Sequence, residues 1–162
     1  MLVMIAGFLM PVLLVFGLYH LLSWFNPHGW NSKTFRVRVG LVSAIGHIIL
    51  ASGFFAFSYF AYSMNRSTTM AGLGFDNYLF NGPEFWRLMT YFDTGPMLAL
   101  LGVFAILDRL GLDPPYLVAW SIVITLIVGT IQWYLLGGVI GLLLERFWSG
   151  LKTGDDEDED WY

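Results

Sequence analysis

The sequence predicts an all-α integral membrane protein: four transmembrane helices in a bundle, a short interfacial helix before the third, and a disordered acidic C-terminal tail. Three observations predict it. Charged residues make up 12% of the 162 positions and hydrophobic residues 57%, where an ordinary soluble domain carries roughly 25% charged residues. Mean hydropathy is +0.65. The apolar residues are gathered into long runs without Asp, Glu, Lys or Arg, the pattern of bilayer spans. Cysteine is absent, which excludes disulfides, thiolate catalysis and Cys-ligated metal centres.

The first run, residues 2–25, is uncharged and would reach roughly 36 Å as a helix, more than the hydrocarbon core requires. It lacks a positively charged start and a small-residue cleavage site, so it reads as a retained helix rather than a signal peptide. Residues 26–38 form a short polar loop with Pro27 and Gly29 as breakers. The second run, residues 39–62, is again uncharged.

The loop 63–93 follows. Its first half is turn-rich. Its second half opens with Pro83 and Glu84, which suits a helix start. There Phe85, Trp86, Leu88, Met89 and Phe92 surround Arg87, as expected of a short helix lying among headgroups.

The third span is the shortest. Residues 94–107 are uncharged, then Asp108 and Arg109 interrupt. One reading is a full span over 94–111, capped by Asp93 or Thr94, with Pro96 in its first turn and Gly111 ending it. The other is a re-entrant segment. The full span is preferred, because Asp108 and Arg109 can snorkel to the interface. Residues 112–116 connect tightly to the last span, with Asp113 as cap and Pro114 in the first turn. That span, 117–144, is uncharged throughout and would extend about 42 Å, enough to tilt. Residues 149–162 form the tail, which holds the acidic run Asp155–Asp160. Six adjacent carboxylates repel one another, so the tail is expected to add little to folding.

Positive charges do not settle orientation. Lys33, Arg36, Arg38 and Arg109 lie on one side of a four-span chain; Arg66, Arg87, Arg146 and Lys152 lie on the other. The local density in loop 26–38 leans toward placing that loop in the cytoplasm.

Polar groups inside a bilayer are costly and mark candidate sites. His20 and His47 lie at similar distances from the loop that joins the first two helices. Such a pair matches axial ligation of a b-type haem, with Arg36 and Arg38 placed to meet its propionates, or a quinone site. The opposing reading is a pair of neutral histidines bonded within the protein. Gln132, midway along the last span, needs hydrogen-bond partners. An interhelical bond is the simple answer and a substrate path the alternative. Gly40 and Ala44 on the second helix, and the Gly137–Gly141 pair on the last, are small residues that allow close helix approach. The aromatic stretch Phe54–Tyr62 reads as an interfacial belt. Asn65-Arg66-Ser67 is a formal glycosylation sequon.

No enzyme motif emerges. The expectation is a small polytopic subunit or scaffold, without catalytic activity or cofactor, that packs against other membrane proteins in the lipid bilayer and has no nucleic-acid partner. A haem b or quinone redox subunit is the alternative, and a small channel or carrier the third reading.

Overall fold

The computed structural model describes residues 2–65, 74–111 and 117–155. Among them the chain is all-helical, without strands. In order these are α1 (Leu2–Phe25), α2 (Pro27–Asn31), α3 (Phe35–Asn65), α4 (Phe75–Asn81), α5 (Pro83–Tyr91), α6 (Thr94–Arg109), α7 (Leu117–Ile124), a π-helical turn (Thr125–Gly129) and α8 (Thr130–Asp155). Two helices, Phe35–Met64 and Val118–Ser149, are long and apolar enough to cross a membrane. The count rises to three if α5 and α6, bent by 113° at their junction, are taken as one broken span. The sequon at 65–67, Asp113 and Pro114 in the connection 112–116, and the acids from Asp156 to Asp160 involve positions outside the described residues.

Several boundaries differ from the sequence reading, each for a physical reason. The loop 26–38 contains a helical turn, α2. The Asn26 side chain accepts from Gly29 N at 3.0 Å, and Pro27 occupies the first helical position, where its missing N–H costs nothing. α3 begins at Phe35 rather than 39. Its early charge is accommodated because the Arg38 guanidinium lies 5.9 Å from the ring centroids of both Tyr19 and Phe35. α8 continues through Asp155, past the expected start of the tail at 149. No proline interrupts it, and extending a formed helix costs little per residue. Gly111 ends α6 in the left-handed conformation at φ 64°, with its N–H on Asp108 O at 3.0 Å.

The chain divides into two compact units, with both divisions inside helices: Met1–Gly46 with Trp133–Tyr162, and His47–Gln132. In the first unit, small residues let α3 and α8 meet closely. A Cβ on Gly40 would stand 2.9 Å from Tyr134 O, and one on Gly141 would stand 2.7 Å from Arg36 Cα. A Cβ on Gly137 would meet Ser43 and Val39. Ala44 is buried nearby in the sequence of α3. Tyr19 of α1 packs edge-on against Trp30 and Phe35.

In the second unit, Phe55, Leu79, Phe85, Met89 and Leu100 form one buried cluster, drawn from α3, α4, α5 and α6. α5 is amphipathic, as its sequence suggests: Phe85 and Met89 are 1% and 0% exposed, while Trp86 and Arg87 face outward. Its apolar face is covered by protein rather than by headgroups. α4 was not expected. It starts after Gly74 and ends before Gly82, and supplies Leu79 to the cluster. The predicted aromatic belt is divided here. Phe55 is buried, Tyr59 and Tyr62 pack on Phe75, and Phe57 and Phe60 remain exposed.

Candidate functional site

The second unit contains a buried polar centre. His47 and Asp93 have side chains only 4% and 3% exposed, and His47 Nε2 lies 3.0 Å from Asp93 Oδ1. This is an ion-pair distance without the alignment of a full hydrogen bond. The other ring nitrogen, Nδ1, lies 3.3 Å from Thr130 Oγ1. The imidazole therefore joins α3, the α5–α6 junction and the start of α8.

Each group reaches the centre through a local cause. Asp93 occupies the N-cap position of α6 but makes no capping hydrogen bond, its carboxylate being turned to His47. Thr94, the other expected cap, donates to Thr90 O at 3.1 Å instead. The exposed N-terminus of α6 is satisfied from elsewhere: Gln132 Oε1 accepts from Gly95 N at 2.7 Å, and Gln132 Nε2 donates to Phe92 O at 3.2 Å. One amide thus serves an orphan donor of α6 and a carbonyl at the end of α5. A carboxylate beside that N-terminus is also favoured by the helix dipole.

The π-helical turn shapes the floor. Thr125 and Gly129 are buried in it, and Ser121 one turn earlier is fully buried. Thr125 Oγ1 points to Met89 Sδ at 3.9 Å. A Cβ on Gly129 would fall 2.5 Å from His47 Cε1 and 2.6 Å from Nε2, so this edge of the ring abuts bare backbone. A π turn inserts one extra residue per helical turn and recurs where a helix must re-aim its side chains.

The chain matches no protein-family model, no curated protein and no solved structure.

Of the residues singled out in the sequence, His47 and Gln132 belong to this neighbourhood. His20 lies in the first unit, exposed, with its ring 4.4 Å from that of Phe16 and 6.0 Å from that of Tyr19. Arg36 is exposed, and its backbone N–H donates to Glu145 Oε1 at 3.4 Å. Arg38 Nη1 reaches Asn31 Oδ1 at 3.5 Å. Gly40, Ala44, Gly137 and Gly141 serve the close helix approach in the first unit.

Asp93 and Thr130 were not singled out as site residues. Asp93 reads in sequence as a cap, and a carboxylate wedged between two apolar helices, between Phe92 and Thr94, was the available signal. Thr130 carried none. Among the described residues no group of three or more His, Cys, Asp or Glu side chains is placed to hold a metal ion.

Proposed function

We propose that this chain is a multi-pass membrane protein that acts without catalysis, as a subunit or scaffold packing laterally against other membrane proteins. One observation carries the reading. The helix Val118–Ser149 is strongly apolar, yet only 17% of its most apolar window is buried by the protein itself. Ile127, Ile131, Leu135, Val139 and Leu143 are all exposed. A helix that is hydrophobic all round finds its complement in lipid or in another helix.

The polar centre fits the same reading. Gln132 bonds backbone groups at both ends of its amide, and the two ring nitrogens of His47 face Asp93 and Thr130, which suits a lock that fixes helix register more than a reaction centre. The haem b alternative needs an imidazole nitrogen directed at iron. On His47 one nitrogen faces Asp93 and the other Thr130, so the geometry lends it no support. A carrier built on Gln132 is weakened likewise, since both ends of its amide are committed to backbone.

In the full proposal, residues 2–25 and 94–111 add two spans to the two long helices, and loop 26–38 faces the cytoplasm. α6 has 16 residues, and at 1.5 Å per residue it reaches about 24 Å, a few ångström short of the ~30 Å core. Asp108 and Arg109 at its end then sit in the headgroup layer.

The experiment is photo-crosslinking from Ile131, Leu135 and Val139, three positions along one face of α8, in the native membrane. The reading expects a discrete protein adduct of constant mass from all three. Adducts with lipid alone at all three positions would overturn it.

A further inference from the structure

In the first unit, two buried N–H groups have no hydrogen-bond acceptor: the indole Nε1 of Trp30 and the Nε of Arg38. Trp30 is 6% exposed, and Arg38 is half-buried. Both side chains pack on Tyr19. The Trp30 ring lies 5.5 Å from the Tyr19 ring, and Arg38 Cζ lies 5.9 Å from its centroid. An aromatic face accepts only a weak N–H···π contact. The bond from Arg38 Nη1 to Asn31 Oδ1, at 3.5 Å, is at the far limit of a hydrogen bond.

The chain offers no local remedy. No Asp or Glu precedes Asp76, so α1, α2 and α3 contain no carboxylate. Glu145 of α8 reaches this end of α3, but its Oε1 accepts from the Arg36 backbone N–H at 3.4 Å. Among the described residues no carboxylate pairs with Arg38. A guanidinium keeps its charge whatever surrounds it, and partial burial without an anion is costly. Buried donors in native proteins are almost always matched. Two unmatched donors on one ring, beside the exposed Lys33 and Arg36, call for an acceptor with negative charge and several oxygens. They stand at the start of Phe35–Met64, a helix long and apolar enough to cross a membrane. At that depth the prevalent anion is phosphate, which the planar guanidinium fork matches.

We propose that a phosphate group binds at the α1–α2–α3 junction, its oxygens accepting from Arg38 Nε and Trp30 Nε1, with Lys33 and Arg36 adding positive charge at the rim. Arg38 Nε is enclosed, so uptake includes a rotamer step of that half-buried side chain. This chemistry has two sources, the headgroup of a bilayer phospholipid or free inorganic phosphate. The site is distinct from the His47–Asp93 centre. It rests on α3 being a membrane helix and not on lateral packing.

The test uses the full chain purified in a non-ionic detergent and washed free of lipid. Dioctanoyl phosphatidylglycerol and dioctanoylglycerol share their chains and differ in the phosphate. Calorimetry measures binding of each, and of inorganic phosphate, to the wild type, Arg38→Lys, Trp30→Phe and Lys33→Gln. The proposal expects the phosphate-bearing ligand to bind about ten-fold tighter than dioctanoylglycerol, the worth of one charge-assisted bond. Arg38→Lys keeps the charge but lacks the Nε–H fork, and should lose most of that preference. Trp30→Phe keeps an aromatic ring and removes the donor, and should weaken phosphate binding several-fold without changing dioctanoylglycerol. Lys33 is exposed, so Lys33→Gln should change binding by less than about two-fold. Should Arg38→Lys fail to fold, Trp30→Phe decides. Absence of any preference for phosphate, an unchanged preference in Trp30→Phe or in folded Arg38→Lys, or a loss in Lys33→Gln as large as in Arg38→Lys would overturn it, the last by showing a diffuse charge effect. Phosphatidylglycerol binding that excess inorganic phosphate leaves intact assigns the headgroup as source. Inorganic phosphate that binds alone and displaces the lipid assigns the free ion, and both outcomes keep the phosphate chemistry.

Discussion

His47 and Asp93 illustrate how burial turns a polar side chain into a structural commitment. With side chains only 4% and 3% exposed, neither can be satisfied by water. Removing one partner leaves the other unmatched, which costs about 1–3 kcal/mol. Asp93→Leu or His47→Leu alone should therefore lower stability by about that amount in detergent unfolding. The double variant should lose less than the sum, because replacing both partners with apolar groups leaves nothing unsatisfied. Additive losses would show that the two residues do not interact. Glycines give a second residue-scale prediction. A Cβ at Gly141 would meet the Arg36 backbone at 2.7 Å, whereas at Gly102 it would meet nothing within 4 Å. Gly141→Ala should destabilise by about 1–3 kcal/mol through overpacking. Gly102→Ala should be neutral or stabilising by a few tenths to about 1 kcal/mol, from helix propensity. Thermal unfolding of the two variants side by side checks the contrast.

At the scale of elements, what the sequence displayed and what it concealed follow different rules. Apolar runs locate helices because every backbone group in lipid must bond within its own segment. That is why α3, α6 and the α7–α8 helix fall close to the expected 39–62, 94–111 and 117–144. His47 and Gln132 stood out for a related reason: a polar group in an apolar run must find partners. Their partners were not visible, because they depend on rotation about each helix axis and on tertiary contact. The π turn at 125–129 lacks any sequence signal of its own. α4 was masked by turn residues around it, Gly74 before and Gly82 after. Asp93 looked like a cap, and only packing shows that Gln132 serves Gly95 while the carboxylate goes to His47. It follows that Gln132 matters to α6 as well as to α8. Gln132→Leu should cost about 1 kcal/mol and should speed amide exchange at Gly95, which loses its acceptor. Unchanged exchange there would remove the capping role.

For the whole molecule, the account rests on the chain's being embedded through its apolar helices. The two long helices already satisfy length and hydropathy. The shorter ones, 2–25 and 94–111, decide whether the chain crosses four times. The same topology would put loop 26–38 and loop 63–93 on opposite faces of the bilayer, and would leave the outer surface of α8 for lipid and protein neighbours. The chain has no cysteine, so each introduced cysteine reports alone. The most direct measurement is therefore single-cysteine accessibility to a membrane-impermeant thiol reagent in sealed vesicles, scanned through all four segments and both loops. The account predicts protection across the centres of 2–25, 39–62, 94–111 and 117–144, with loops 26–38 and 63–93 labelled from opposite sides. Water-accessible label across 96–106 from one side, with both flanks of that segment on the same face, would contradict it.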